Sequence, residues 1–124
     1  MVLTKRAYES AAASDGFRVL VDRLWPRGVT KEAARIDLWA RELAPSAGLR
    51  IWFGHHPVRF PEFAERYRLE LMKSPARERF IEVLAHAANG RVTLVYAARD
   101  EGQNNAVVLK REIESALGYH ASAQ

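Results

Sequence analysis

With 124 residues the chain holds material for one hydrophobic core but not two, and no apolar run approaches the roughly 20 residues that a membrane-spanning helix requires, so an α-helical membrane protein is excluded. The absence of cysteine removes disulfides, thiolate nucleophiles and cysteine-held zinc or iron–sulfur centres; four histidines are left as candidate metal ligands, and neither a metal nor a cofactor is expected. The net charge of +4 is unevenly placed, with 10 Lys+Arg against 6 Asp+Glu in residues 1–60 and 9 against 9 in residues 61–124, so the first half is expected to face an anion.

The N-terminus, "MVLTKRAYES", runs directly into a predicted strand over residues 2–8 and lacks the basic, apolar and small-residue sections of a secretory signal, so a cytoplasmic location is expected. "SDG" at 14–16 predicts the turn before a second strand over 17–23, where "FRVLV" is almost continuously apolar, as in a strand covered on both faces. Thr30 predicts the cap of a helix running through Trp39 and Leu43 until Pro45 stops it. Ser46 predicts the cap of a short helix, "AGLRIWF", ended by Gly54. Pro61 opens another, with Phe63, Tyr67 and Leu71 four apart on one face and Phe60 packing at its start. Ser74 and Pro75 begin the next, with Phe80, Ile81, Leu84 and Ala88 inward and "NG" at 89–90 as its stop. "RVTLVYA" at 91–97 predicts a third strand, "NNAVVLKREIESALG" a last helix closed by Gly118, and the residues from about 119 a frayed tail. Apolar strands alternating with helices predict a single three-layer α/β domain, a small mostly parallel sheet flanked by helices, with 17–23 and 91–97 as interior strands.

In such sheets ligands bind beyond the carboxyl ends of the strands. In "DRLWPRG", after the second strand, Pro26 and Gly28 shape a turn from which Arg23 and Arg27 overhang one site, with Trp25 as apolar wall or stacking face. Alternatively Trp25 packs on the core edge while Asp22 pairs with a neighbouring arginine inside the fold. "PSAGLRIWFGHH" puts Ser46 at a helix N-terminus and Arg50 one turn along, half of a phosphate pocket, although capping alone also explains Ser46. His55 and His56 follow the glycine, and adjacent histidines on an irregular segment seldom converge on one metal. In "YAARDEGQNN", Tyr96 lies near the end of the third strand, Arg99 and Asp100 beyond it, and Asn104 or Asn105 caps the last helix. Asp100 and Asn104 are the candidate catalytic pair, able to polarise a polar substrate or hold a ribose-like diol; a capped loop with a surface ion pair is the alternative. Parallel strands predict that Arg23, Arg27, Asp100 and Asn104 line one pocket. Neither a glycine-rich phosphate loop nor a nucleophile elbow is present, so no reaction type is specified.

Taken together, "VLVDRLWPRG", "APSAGLRIWFGH", "FAERYRLEL" and the run from "VTLVYAARD" to "NNAVVLK" resemble the YeaO-like family of small bacterial proteins within domain of unknown function 488, over residues 3 to about 117. The family pattern is carried by Asp22, Arg23, Trp25, Pro26, Arg27 and Gly28, then by Pro45, Ser46, Leu49, Arg50, Phe53, Gly54 and His55, by Arg66 and Tyr67, and by Tyr96, Asp100 and Asn104. The chain departs from it at His56, usually acidic, and at Asn105, often histidine. The wider domain often reads cysteine-histidine-arginine where this chain has Asn104, Asn105 and Ala106, so no thiol-based reaction is implied. The resemblance implies the fold and a shared site, not a reaction.

The expected function is binding of a small anionic ligand, phosphate- or nucleotide-like, with or without catalysis. Arg23, Arg27 and Arg50 would hold its charge, Trp25, Ser46, His55 and Tyr96 would complete the site, and Asp100 and Asn104 would orient or polarise it. Fifteen of the 19 basic residues are arginine, which suits bidentate recognition of such groups and equally follows from a GC-rich coding sequence. A nucleic-acid-associated module with Arg23, Trp25 and Arg27 as a phosphate-tracking surface, and a partner-binding scaffold, are the alternatives; a concave site separates the first from both. No oligomeric state is specified.

Overall fold

Parallel strand pairing organises the chain, whose computed structural model describes residues 1–118; the expected frayed tail lies outside the described residues. Strands β1 (Val2–Arg6), β2 (Phe17–Leu20), β3 (Leu38–Trp39) and β4 (Val92–Tyr96) form one sheet in the order β1-β4-β2-β3, every pair parallel. The helices are α1 (Lys31–Ala34), α2 (Ala47–Phe53), α3 (Phe60–Leu71), α4 (Ala76–Asn89) and α5 (Asn105–Leu117). The two most apolar strands, β2 and β4, are interior neighbours with Val19 opposite Leu94 and Leu20 opposite Val95. No described helix is long and apolar enough to cross a membrane.

The period-two alternation of strand side chains divides the core in two. Val19, Val21, Val92, Leu94 and Tyr96 point into the larger core, with Phe53, Phe63, Tyr67, Leu71, Val83, Leu109 and Ile113 from α2 to α5 packed on that face. Full burial of side chains this size contributes about 1.5–3 kcal/mol each. Leu20, Val95 and Ala7 point the other way, into a small cluster closed by Trp25, Ile36 and Trp39. The three layers are therefore unequal, with α1 and the loop after β2 on the thin side.

That thin side is not purely apolar, contrary to the expectation for "FRVLV". Arg18 is 3% exposed and held by Asp15, which accepts from its Nη1 at 2.7 Å, and by the Ala34 carbonyl, which accepts from its Nε at 2.9 Å. Lys5 Nζ reaches the same Asp15 carboxylate at 3.1 Å. Gly16 makes the turn possible: its φ is 67°, and a Cβ there would stand 2.4 Å from the Arg91 carbonyl oxygen.

Two expected helical features are corrected. The helix capped by Thr30 ends at Ala34, with Arg35 in the left-handed region at φ 48°. Residues 37–40 instead extend along β2: the Asp37 amide donates to the Arg18 carbonyl, the Asp37 carboxylate accepts from the Arg18 amide, and the Ala40 amide donates to the Leu20 carbonyl. Strand pairing at the sheet edge, with half-buried Trp39 packed against Trp25, wins over the helical propensity of "KEAAR". In α4 the inward residues are Val83 and Ala87, flanked by half-buried Phe80 and Leu84, while Ile81 is 51% exposed and Ala88 also faces solvent.

Candidate functional site

Because β2 and β4 are parallel neighbours, the loops that follow them leave the same edge of the sheet. Together with residues 44–55 they enclose a cavity of about 300 Å³. The loop after β2 contributes Asp22 through Arg27, the α2 segment contributes Ala44, Pro45, Arg50, Phe53 and His55, the loop after β4 contributes Ala97, Ala98, Gln103 and Asn104, and α3 and α5 add Phe63 and Asn105.

Local chemistry shapes each wall. Pro26 is buried, its carbonyl accepts from the Val29 amide, and Gly28 takes φ 79° to complete the turn. Trp25 donates its indole N–H to the Val29 carbonyl at 2.6 Å and meets Trp39 edge to face, centroids 5.5 Å apart. Its ring thus packs on the smaller core and lines the cavity at once. Arg23, Arg27 and Arg50 are exposed on the cavity rim, and among the described residues none of the three has an ion-pair partner within 4.0 Å.

Asp22 is the carboxylate of this cavity. It accepts from the Ala97 amide at 2.9 Å and from Asn105 Nδ2 at 3.2 Å, while Asn105 Nδ2 also donates to the Val21 carbonyl. Burial pushes its pKa above the usual carboxylate value, outweighing the two hydrogen bonds and the charge of Arg50, which favour ionisation. Behind it, Tyr67 donates its hydroxyl to the Leu43 carbonyl. Burial, with the charges of Asp22 and Glu70, holds that phenol well above its ordinary pKa, against the Asn105 hydrogen bond, so it is neutral.

Of the residues expected at the site, Arg23, Trp25, Arg27, Arg50, His55 and Asn104 line the cavity; Ser46, Tyr96 and Asp100 do not. Ser46 caps α2, accepting from the Leu49 amide, and Glu70 of α3 takes its amide at 2.8 Å and its hydroxyl at 2.6 Å, so a carboxylate already occupies the expected phosphate position. Tyr96 is 1% exposed and points into the larger core. Burial raises its pKa. Asp100 folds back on its own loop, Oδ1 accepting from the Gly102 and Gln103 amides, and lies on a neighbouring depression. The expected four-residue pocket is thus corrected to Arg23, Arg27 and Asn104. Asn104 itself is committed to the fold: its carbonyl caps α5 at the Val107 amide, and Nδ2 donates to the Asp100 carbonyl.

Asp22, Asn105 and the aromatic wall of Phe53 and Phe63 were missed as site residues. Asp22 had one signal, its place at the carboxyl end of a buried strand. In the alternative reading Asp22 paired with an arginine; its hydrogen-bond partners are instead a backbone amide and an asparagine. Among the described residues no group of three or more His, Asp or Glu side chains is arranged to hold a metal ion.

Fold and cavity together define a small α/β domain with a pocket at its strand ends. The chain belongs to the YeaO-like group within domain of unknown function 488, and its whole length, residues 1–124, matches the model of the inactive DUF488-N3 subclade. An uncharacterized protein of Mycobacterium tuberculosis is 43% identical over 108 residues, covering 87% of this chain and 89% of the relative. The uncharacterized protein YeaO of Escherichia coli is 40% identical over 105 residues, covering 85% of this chain and 90% of the relative. No solved structure matches the chain.

Proposed function

We propose that the cavity binds a small anionic ligand, phosphate- or nucleotide-like, without turning it over. The observation that carries this is the convergence of Arg23, Arg27 and Arg50, free of ion pairs among the described residues, on a pocket walled by Leu24, Trp25, Pro26, Phe53 and Phe63. An apolar pocket with a few charged groups at its rim suits a ring bearing a phosphate or carboxylate, which guanidinium groups engage by paired N–H donors. Gathering these cations round a concavity favours a small ligand over a nucleic-acid backbone, which calls for a stripe. The family description is of an inactive subclade, and Asp100 and Asn104 spend their side chains on loop and cap hydrogen bonds, so binding is proposed in place of catalysis.

Titration calorimetry with inorganic phosphate and with AMP at millimolar concentration tests it. Arg50→Ala is expected to weaken binding by about tenfold or more while stability changes by no more than about 0.5 kcal/mol, as for an exposed side chain. No affinity in the wild-type protein, or equal affinity in the variant, removes the proposal.

A further inference from the structure

We propose that the ligand extends beyond the cavity into the depression beside it, which takes a phosphorylated, hydroxyl-bearing extension of the sugar-phosphate class; this rests on the binding reading above. The depression, about 710 Å³, shares His55, Ala97 and Ala98 with the cavity, so one molecule can occupy both across that common wall.

Its remaining residues have the chemistry for such a group. Arg6 is already positioned: Nε donates to the Ala98 carbonyl at 2.9 Å and the guanidinium carbon lies 4.9 Å from the centre of the Tyr8 ring. Among the described residues neither Arg6 nor the exposed Arg99 has an ion-pair partner, so two guanidiniums face this depression with their charge unmatched by any carboxylate contact. Holding a phosphate is the task to which such groups are suited. Asp100 adds a second requirement. Its Oδ1 is taken by two backbone amides, and Oδ2, without a hydrogen-bond partner among the described residues, can accept from a hydroxyl. A bare anion filling the depression meets that carboxylate's charge, whereas a sugar hydroxyl satisfies it. Tyr8, 49% exposed, offers its ring as a flat apolar surface for a sugar face.

Calorimetry with AMP and ADP-glucose reads the difference directly. Wild-type protein is expected to bind ADP-glucose at least about tenfold more tightly than AMP, from added charge-assisted hydrogen bonds. Arg99→Ala, an exposed position, is expected to remove that advantage while AMP affinity stays within about twofold. If ADP-glucose gains nothing over AMP, or if Arg99→Ala weakens both alike, the second subsite is overturned and the cavity reading stands. If neither probe binds, both fall together.

Discussion

At Asp22 a single carboxylate couples the cavity to the fold, since the group that feels the charge of Arg50 also ties the chain just beyond β2 to Ala97 and Asn105. Its folded pKa lies above the unfolded value of about 3.9, so the stability this group contributes is fully present below that pH and is lost as pH rises through the folded pKa. Melting curves of wild type and Asp22→Asn between about pH 3.5 and 7 should therefore show the variant gaining on the wild type as pH rises. A difference that stays constant with pH would mean that burial does not act on this carboxylate.

Helix ends show how far local sequence reaches. Thr30, Ser46 and Asn104 each cap the helix that follows, accepting from the amide three residues on, as their residue types predict. Replacing Asn104 by alanine should cost about 1 kcal/mol in urea denaturation, within a range of about 0.5–2, from the lost cap. It also frees the Asp100 carbonyl, so the loop at 99–103 should show faster amide exchange than in the wild type. A loss well under the lower bound would mean that tertiary packing, not the cap, holds the start of α5. Where propensity and pairing conflict, pairing prevails: "KEAAR" begins a helix, but the edge of β2 was waiting for a partner and draws residues 37–40 into extended pairing.

For the molecule as a whole, the thin side of the sheet depends on Asp15, which joins β1 through Lys5 to β2 through Arg18 and receives the Ala12 amide. Desolvation pushes its pKa up, but the hydrogen bonds from Ala12, Lys5 and Arg18 together outweigh it, and the net pKa is lowered. Here the sign is the reverse of Asp22: the contribution is present above the unfolded pKa and lost as pH falls through the folded one. Asp15→Ala leaves Arg18 buried without its carboxylate and should destabilise the protein by about 3 kcal/mol, measured by chemical denaturation at neutral pH. The variant should also lose part of the wild type's acid-induced decline. A change below about 1 kcal/mol would show that Arg18 finds another partner or reaches solvent.

What the sequence determined by itself was local: the parallel α/β plan from two apolar runs separated by helices, the three caps, and a basic turn at the end of β2. Period, propensity and side-chain reach over three or four residues decide such features, and each can be read without a partner. The tertiary structure alone decided which groups meet. Glu70 fills the α2 N-terminus from 24 residues away, and Asn105 reaches Asp22 across 83. Asp100 turns to its own amides while Arg50 and Phe63 come to the cavity from separate helices. Burial and desolvation depend on these distant neighbours, and they make Asp22 the cavity's carboxylate and leave three arginines on its rim without an ion pair among the described residues.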